Sequence, residues 1–271
     1  MLAEKEILVF EALDMDRVPF APDPSPDSIF PTAQLQEVQK RLVFTVGAKG
    51  VALLTAESGM GKSTGLRYAA HTLTAKGHRV LYTSAASSGA FGVMRSLHYA
   101  MGRKPPHFQA DLSHYFVEAC QSNEDPLVVM IDEAQLLNEA GLQQLRLLTN
   151  RDFDTRPPFV LILAGCSELR EIIGQPQLTS LRRRILMSYD MQGLTEDEAK
   201  LYLEHHLARA GARRKLFEAA AVRELFGHSR GNPGAFNKLA LTALIIAVSQ
   251  GKHVVGLEQL RQAVREQETR P

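Results

Sequence analysis

Short apolar runs alternate with amphipathic segments through the first two thirds of the chain. The runs cover residues 51–55, 79–83, 127–131, 159–164 and 185–189 and predict strands, several of them buried on both faces. Between them, residues 62–75, 90–101, 112–121 and 139–149 have the apolar spacing of helices. This alternation predicts an α/β fold in which a parallel sheet is flanked by helices.

The pattern changes after residue 190, where only helices are predicted. A capping box at 195–198 opens a helix that runs to about 210, and further helices follow at 217–226, 233–249 and 256–266. Before the first strand, a proline-dense stretch at 18–26 precedes a helix at 31–46. We therefore expect an N-terminal lead-in (1–46) that packs on an α/β domain (47–190), followed by a small helical lid domain (191–271).

Composition limits the class of protein only broadly. The 271 residues are 45% hydrophobic and 23% charged, with a net charge of +1, which neither demands nor excludes a nucleic-acid partner. The two cysteines lack the spacing of a disulfide framework or a metal site. The N-terminus lacks the features of a signal peptide, and the longest apolar stretch, 239–248, is too short to cross a bilayer. These features favour a cytoplasmic protein without a membrane segment.

A glycine-bearing loop between the first strand and its helix is the most specific chemical motif. In a phosphate-binding loop, backbone N–H groups and a helix N-terminus surround the phosphates, a lysine reaches the outer phosphates and a hydroxyl holds Mg²⁺. The alternative is a glycine-rich turn that binds no nucleotide, and Ala56 stands where the pattern has its first glycine. The predicted ligands of the nucleotide are Ser58, Gly59, Met60, Gly61, Lys62, Ser63 and Thr64.

A second motif, Asp132-Glu133, ends the apolar run 127–131. In a nucleotide site of this kind the aspartate supports the metal and the following glutamate activates the attacking water. The alternative is an ordinary helix N-cap after a strand. We expect Asp132 to hold Mg²⁺ together with Ser63, and Glu133 to act as the general base.

The order of these parts resembles that of the AAA+ ATPases, and more narrowly the ExeA-type subgroup. That subgroup includes secretion accessory ATPases and transposon target-selection ATPases similar to phage Mu B protein and TnsC. Each matching piece is short, and it is their order and spacing that carry the resemblance. The pieces are Pro19-Phe20, Asp23-Pro24, Gly59 to Ser63, Ile131 to Gln135, Leu145 to Asn150, Leu163-Ala164-Gly165 followed by Glu168-Leu169, Arg184-Ile185, Leu194-Thr195 with Glu198, and Gly231-Asn232-Pro233.

The resemblance implies further roles for individual residues. It places an arginine finger, which completes a neighbouring subunit's site, in Arg182-Arg183-Arg184 just before the fifth strand, where Arg184 aligns best. The alternative is a solvated basic helix end that interacts favourably with the helix dipole. The resemblance also places a sensor, usually a polar residue, after the fourth strand, and here that position is Cys166 or Ser167. DNA-facing groups are expected after the second strand, where small polar and basic residues can contact phosphates without reading sequence. The candidates are Ser88, Arg95, Arg103 and Lys104.

Because the chain ends soon after the helical segment and has no membrane segment, the transposon homologues are the favoured model. They imply an ATP- and Mg²⁺-dependent regulator of transposition that oligomerises as a ring or filament on double-stranded DNA and presents it to a transposase. Two alternatives remain open. One is an ATPase accessory to secretion or envelope assembly, and the other is a switch like a replication initiator or clamp loader.

Overall fold

The computed structural model describes residues 12–20, 25, 28–85, 89–120, 127–149 and 157–269, with the backbone alone at 109 and 110. Contacts along the chain divide it into two compact units. One is formed by residues 35–191, and the other joins residues up to 34 with residues 192–271. In the part of the chain that is described, no helix combines the length and the apolar character needed to cross a membrane.

The first unit, which we call the sheet unit, alternates strands and helices as predicted. Its two short 3₁₀ turns cover Ala134–Leu136 and Pro176–Leu178. Its regular elements are α1 (Ala33–Gly47, which begins just before the boundary), β1 (Val51–Thr55), α2 (Lys62–Ala75), β2 (Val80–Ser84), α3 (Gly89–Ala100), α4 (Gln109–Cys120), β3 (Leu127–Asp132), α5 (Glu139–Leu148), β4 (Phe159–Gly165), α6 (Ser167–Gly174), α7 (Thr179–Arg182) and β5 (Ile185–Asp190).

The five strands form one parallel sheet in the order β2-β3-β4-β1-β5. Every residue of β1, β3 and β4 is buried, which explains why their sequences are continuous apolar runs. Of the two outermost strands, β2 alternates buried and more exposed positions, whereas β5 has half-buried and exposed positions and no buried one. Because all strands are parallel, their carboxyl ends lie on the same side of the sheet, and ligands of such sheets bind at these strand ends.

The second unit, which we call the helical unit, contains α8 (Glu196–Arg209), α9 (Ala219–Ser229), α10 (Pro233–Ser249) and α11 (Leu257–Glu268). The predicted capping box is present. The Thr195 hydroxyl accepts the N–H of Glu198, and the Glu198 carboxylate accepts the N–H of Thr195. The core of this unit includes Leu203, Leu225, Phe236 and Leu260.

The unit boundary differs from the boundaries expected from sequence. Leu13 and Met15 are buried in the core of the helical unit, so the described part of the N-terminal segment around them packs there. Helix α1 instead contributes Leu35, Val38 and Leu42 to the sheet unit. The proline-dense composition indicates an irregular segment, but it carries no signal for which core receives the two apolar side chains.

Candidate nucleotide-binding site

The loop between β1 and α2 has the backbone of a phosphate-binding loop. Gly59 and Gly61 have φ values of 81° and 90°, a left-handed region that glycine enters at little cost. Ala56 is not among the described residues with positive φ, so its β-carbon causes no backbone strain. Its N–H donates to the Gly165 carbonyl at 3.2 Å, as a continuation of the pairing between β1 and β4. The alanine is therefore compatible with the loop.

Lys62 is the first residue of α2 and is buried, with 8% of its surface exposed. Its ammonium group donates to the carbonyl oxygens of Ala56 at 3.1 Å and Glu57 at 3.4 Å. A buried cation needs such partners, and here the loop itself supplies them. The contacts hold the ammonium group inside the curve of the loop.

Ser63 and Asp132 meet although 69 positions separate them in sequence. The Ser63 hydroxyl donates to Asp132 Oδ2 at 2.6 Å, and the Asp132 side chain is buried. Mg²⁺ binds oxygen ligands, usually one or two from the protein, and completes its shell with water and substrate phosphates. One hydroxyl and one carboxylate beside a phosphate-binding loop fit this requirement.

Tyr82 on β2 also contacts this carboxylate, donating to Asp132 Oδ2 at 3.1 Å. Burial, and secondarily the negative charge of Asp132, raises the pKa of Tyr82 to about 12, so the hydroxyl keeps its proton at neutral pH. Sequence reasoning missed this residue. Once β2 is known to pair with β3 in parallel, with Ser84 opposite Asp132, the alternation of strand side chains places Tyr82 on the same face.

Glu133 follows in an unusual conformation. Its φ of 55° is left-handed, which a non-glycine residue adopts rarely and often at functional sites. Its N–H donates to Asp132 Oδ1 at 2.9 Å, and its Oε2 accepts from Gln135 Nε2 at 2.6 Å. The next α-helix, α5, begins only at Glu139 and is capped by Asn138. Asp132 is thus not the cap of α5, and Glu133 stands at the N-cap position of the 3₁₀ turn Ala134–Leu136 without a capping hydrogen bond from its side chain.

Arg184 lies at the amino-terminal end of the strands, opposite to the end that carries the loop. It directly precedes β5, whose first residue Ile185 pairs with Val51 at the start of β1, whereas the loop follows the end of β1. The length of β1 puts roughly 16 Å between these two ends of the strand. The Arg184 guanidinium donates to the Thr149 hydroxyl at 3.3 Å. This position separates Arg184 from the phosphate-binding loop of its own chain.

The sensor candidates lie next to the site. Cys166 is the N-cap of α6 but makes no side-chain cap, and its N–H donates to Gln135 Oε1 at 3.2 Å. Ser167 is exposed in the first turn of α6. Gln135 therefore connects the end of β4 with Glu133. The sequence placed Gln135 only inside a matching motif and gave it no role, because its contacts depend on the pairing of distant strands.

The residues expected to face DNA are spread over one helix and the segment after it. Arg95 lies on α3 with its guanidinium 5.8 Å from the centre of the Phe91 ring. Arg103 and Lys104 are exposed in the connection from α3 to α4, near the exposed rings of Tyr99 and Phe108 in sequence. Ser88 lies outside the described residues. Two exposed cations therefore remain as the clearest candidates.

The sheet order, the loop after β1 and the acidic pair after β3 define the AAA+ P-loop fold, and the C-terminal helices are consistent with its lid. A family model described as an AAA domain matches residues 46–173. The General secretion pathway protein A of Aeromonas hydrophila is 35% identical over 128 residues, which are 47% of this chain and 23% of that protein. The match therefore spans less than half of this chain and leaves most of the relative's length without a counterpart.

Solved structures of AAA+ proteins share the fold at low sequence identity. The Cdc6p structure from Pyrobaculum aerophilum superposes with a TM-score of 0.70 at 14% identity, over 94% of this chain and 70% of that one. Aeropyrum pernix ORC1, solved in complex with DNA, gives 0.67 at 16%, over 96% and 69%. The Thermotoga maritima RuvB Holliday junction branch migration motor gives 0.59 at 20%, over 85% and 68%. The ExeA-type resemblance is thus supported, while the transposon homologues remain a prediction.

Proposed function

We propose that this chain is a Mg²⁺-dependent ATPase whose site is completed by a second copy of itself. The observation that carries the proposal is the meeting of Lys62, Ser63, Asp132 and Glu133 at the carboxyl ends of β1 and β3. These residue types supply the charge, oxygen ligands and base that phosphoryl transfer to water needs. An AAA domain, which this unit matches, is typical of nucleoside triphosphatases.

Each residue has a definite task in this proposal. The N–H groups from Ser58 to Thr64 surround the β-phosphate, and the Lys62 ammonium leaves the loop carbonyls to contact the β- and γ-phosphates. Ser63 and Asp132 would hold Mg²⁺, and the bound ion would supply positive charge to offset the charge that develops on the phosphate oxygens. The Glu133 carboxylate orients the attacking water and accepts its proton.

In this proposal Arg184 supplies a further positive charge to the site of a second copy. Because it lies at the sheet edge opposite the loop, it contacts a γ-phosphate only when a second copy presents its loop to that edge. An arginine provided in this way stabilises the transition state and accelerates turnover strongly. Hydrolysis would then require a homo-oligomer, either a ring or a helical filament.

The nucleotide assignment is tested with Lys62→Ala and a matched control, Lys76→Ala, at the exposed C-terminal end of the same helix. We expect Lys62→Ala to lose binding of a fluorescent ATP analogue and Mg²⁺-dependent phosphate release. Lys76→Ala should retain both. Equal behaviour of the two variants would show that the loop is a structural turn.

For the biological role we propose assembly on double-stranded DNA in the control of transposition, with a transposase as the partner. Its support is the ordered resemblance of motifs to the target-selection ATPases and the exposed pair Arg103 and Lys104. The fold is shared with an ORC1 protein solved in complex with DNA, although that likeness extends to the fold alone. The protein would act in the bacterial cytoplasm.

One specific observation favours a second role. Over 128 residues the chain is 35% identical to a general secretion pathway protein, so an ATPase accessory to secretion or envelope assembly is the second candidate. The third candidate, a switch like a replication initiator or clamp loader, is supported only by the shared fold.

Electron microscopy separates these roles. With a non-hydrolysable ATP analogue and duplex DNA, the DNA proposal predicts rings or filaments on the duplex. Replacing Arg103 and Lys104 together by alanine should weaken DNA binding and lower the slope of log affinity against log salt by about 2. The control removes two exposed cations elsewhere, Arg213 and Lys215. Nucleotide-bound protein that stays monomeric beside DNA would contradict the DNA role.

A further inference from the structure

Gln135 joins two parts of the site through both ends of its amide group. Its Nε2 donates to Glu133 Oε2 at 2.6 Å, and its Oε1 accepts the backbone N–H of Cys166 at 3.2 Å. Since one end only donates and the other only accepts, the two contacts fix which way the amide faces. The donor to the Glu133 carboxylate is thereby anchored on the residue that follows β4.

The end of β4 leaves space for this amide. A β-carbon at Gly165 would collide with Gln135 Oε1, and it would also lie 2.9 Å from Leu169 Cδ2. Only a residue without a side chain lets the glutamine lie against the strand. The close approach shows that the position of Gln135 depends on the backbone of β4.

Glu133 is held from the backbone side as well. Its left-handed φ of 55° is fixed by its N–H contact to Asp132 Oδ1 and by a 2.9 Å bond from the Leu136 N–H to its own carbonyl. This turn carries Gln135 back toward the glutamate, two residues away. Backbone and side chain of Glu133 are thus both constrained, and one oxygen, Oε2, is bound to the amide.

We propose that Gln135 is a positioning residue for hydrolysis, and this inference rests on the proposed ATPase function. By holding Oε2, the amide directs Oε1 toward the water that attacks the phosphate. It also ties the orientation of the carboxylate to the end of β4, where Cys166 is the N-cap residue of α6. A shift at that strand end would therefore change turnover without altering the phosphate-binding loop.

The test compares Gln135→Met, which keeps the length of the side chain and removes both hydrogen bonds, with Gln144→Met as a control. Gln144 is a half-buried glutamine on α5, away from the site, whose Nε2 donates a hydrogen bond to the Ser113 hydroxyl at 3.2 Å. We expect Gln135→Met to lower kcat by about 10-fold or more while KM for ATP stays within about 3-fold. Gln144→Met should leave both near wild type. An unchanged kcat, or a raised KM with kcat retained, would overturn the proposal.

A second measurement does not depend on activity. The melting temperatures of the wild type, Gln135→Met, Glu133→Ala and the double variant form a double-mutant cycle. A second cycle, in which Gln144→Met replaces Gln135→Met, is the control for two side chains that are not coupled. If the amide and carboxylate are linked, the double variant should melt about 2 °C above the additive expectation. Additive shifts would overturn the link. If the wild-type protein releases no phosphate, the ATPase proposal fails separately, and the cycle still decides whether these side chains are coupled.

Discussion

Gly59 and Gly61 give the loop after β1 its left-handed turns, while Ala56 at the start of the loop needs none. The sequence therefore predicts the loop well, because each of its residues acts within a few positions of the others. Contacts made by Tyr82 and Gln135 could not be predicted in the same way. They depend on which strands pair and in what register, and neither is encoded locally.

Replacing Glu133 by Gln tests the role of the base. The amide is isosteric but cannot accept the proton from water, so we expect phosphate release to fall at least about 100-fold. Binding of ATP should persist because Lys62, Ser63 and Asp132 are unchanged. Size-exclusion chromatography with ATP should then show the assembled form trapped. Normal turnover by this variant would rule out Glu133 as the base.

Gly165→Ala tests how tightly β4 and Gln135 are packed. The new methyl group would collide with Gln135 and Leu169, so we expect a loss of about 1–3 kcal/mol in the free energy of unfolding. Gly174→Ala is the control, since no atom lies within 4 Å of a β-carbon built there. Urea unfolding measures both. Equal, small effects would show that the strand end has room for a side chain.

At the scale of elements, the first turn of α8 is held by more than its own capping box. The Glu198 carboxylate accepts the N–H of Thr195 at 3.0 Å through one oxygen and the N–H of Ala33 at 2.8 Å through the other. The sequence predicted the box from a four-residue pattern. It could not predict the bond to Ala33, which is 165 positions away.

Glu198→Ala should therefore cost more than the loss of a simple cap. Two backbone N–H groups lose their acceptor, so we expect a decrease of about 1–3 kcal/mol in the free energy of unfolding. Glu204→Ala, at an exposed position of the same helix, should change it by less than about 0.5 kcal/mol. Denaturant titration of the two variants distinguishes them. A Glu198→Ala protein as stable as the Glu204→Ala protein would refute the double contact.

His206, on the same helix, makes the helical unit sensitive to acid. Its ring lies 4.3 Å from the Tyr202 ring and 5.3 Å from the Phe20 ring, centre to centre. Burial, and secondarily the nearby charges of His205 and Arg209, lowers the pKa of His206 to about 4. The unfolded chain, with a pKa near 6.5, then binds more protons than the folded protein between these values.

Stability that is present above about pH 6.5 should accordingly be lost as the pH falls toward 4. We expect a decrease of about 2 kcal/mol between pH 7 and pH 5, most of it absent in His206→Gln. His253→Gln, at an exposed position, should keep the wild-type dependence. Denaturant unfolding at the two pH values measures this. An identical pH dependence in His206→Gln and wild type would contradict the assignment.

At the scale of the whole molecule, periodicity predicted the class of fold because buried parallel strands and amphipathic helices differ clearly in sequence. The division into units was predicted less well. Leu13 and Met15 join a core whose other buried members lie at residue 194 and beyond, and no local pattern in the sequence indicates this. Helices α6 and α7 were not predicted either, because each is only two turns or less.

The central claim is that each ATP site takes Arg184 from a second copy. It is tested most directly by mixing two inactive variants and measuring phosphate release. Lys62→Ala cannot hold nucleotide but still offers Arg184, and Arg184→Ala keeps its loop but offers no arginine. We predict that the mixture releases phosphate although neither variant does so alone, and that the rate rises with the fraction of assemblies that contain both variants. A mixture that stays inactive, or full activity of Arg184→Ala by itself, would contradict the shared site.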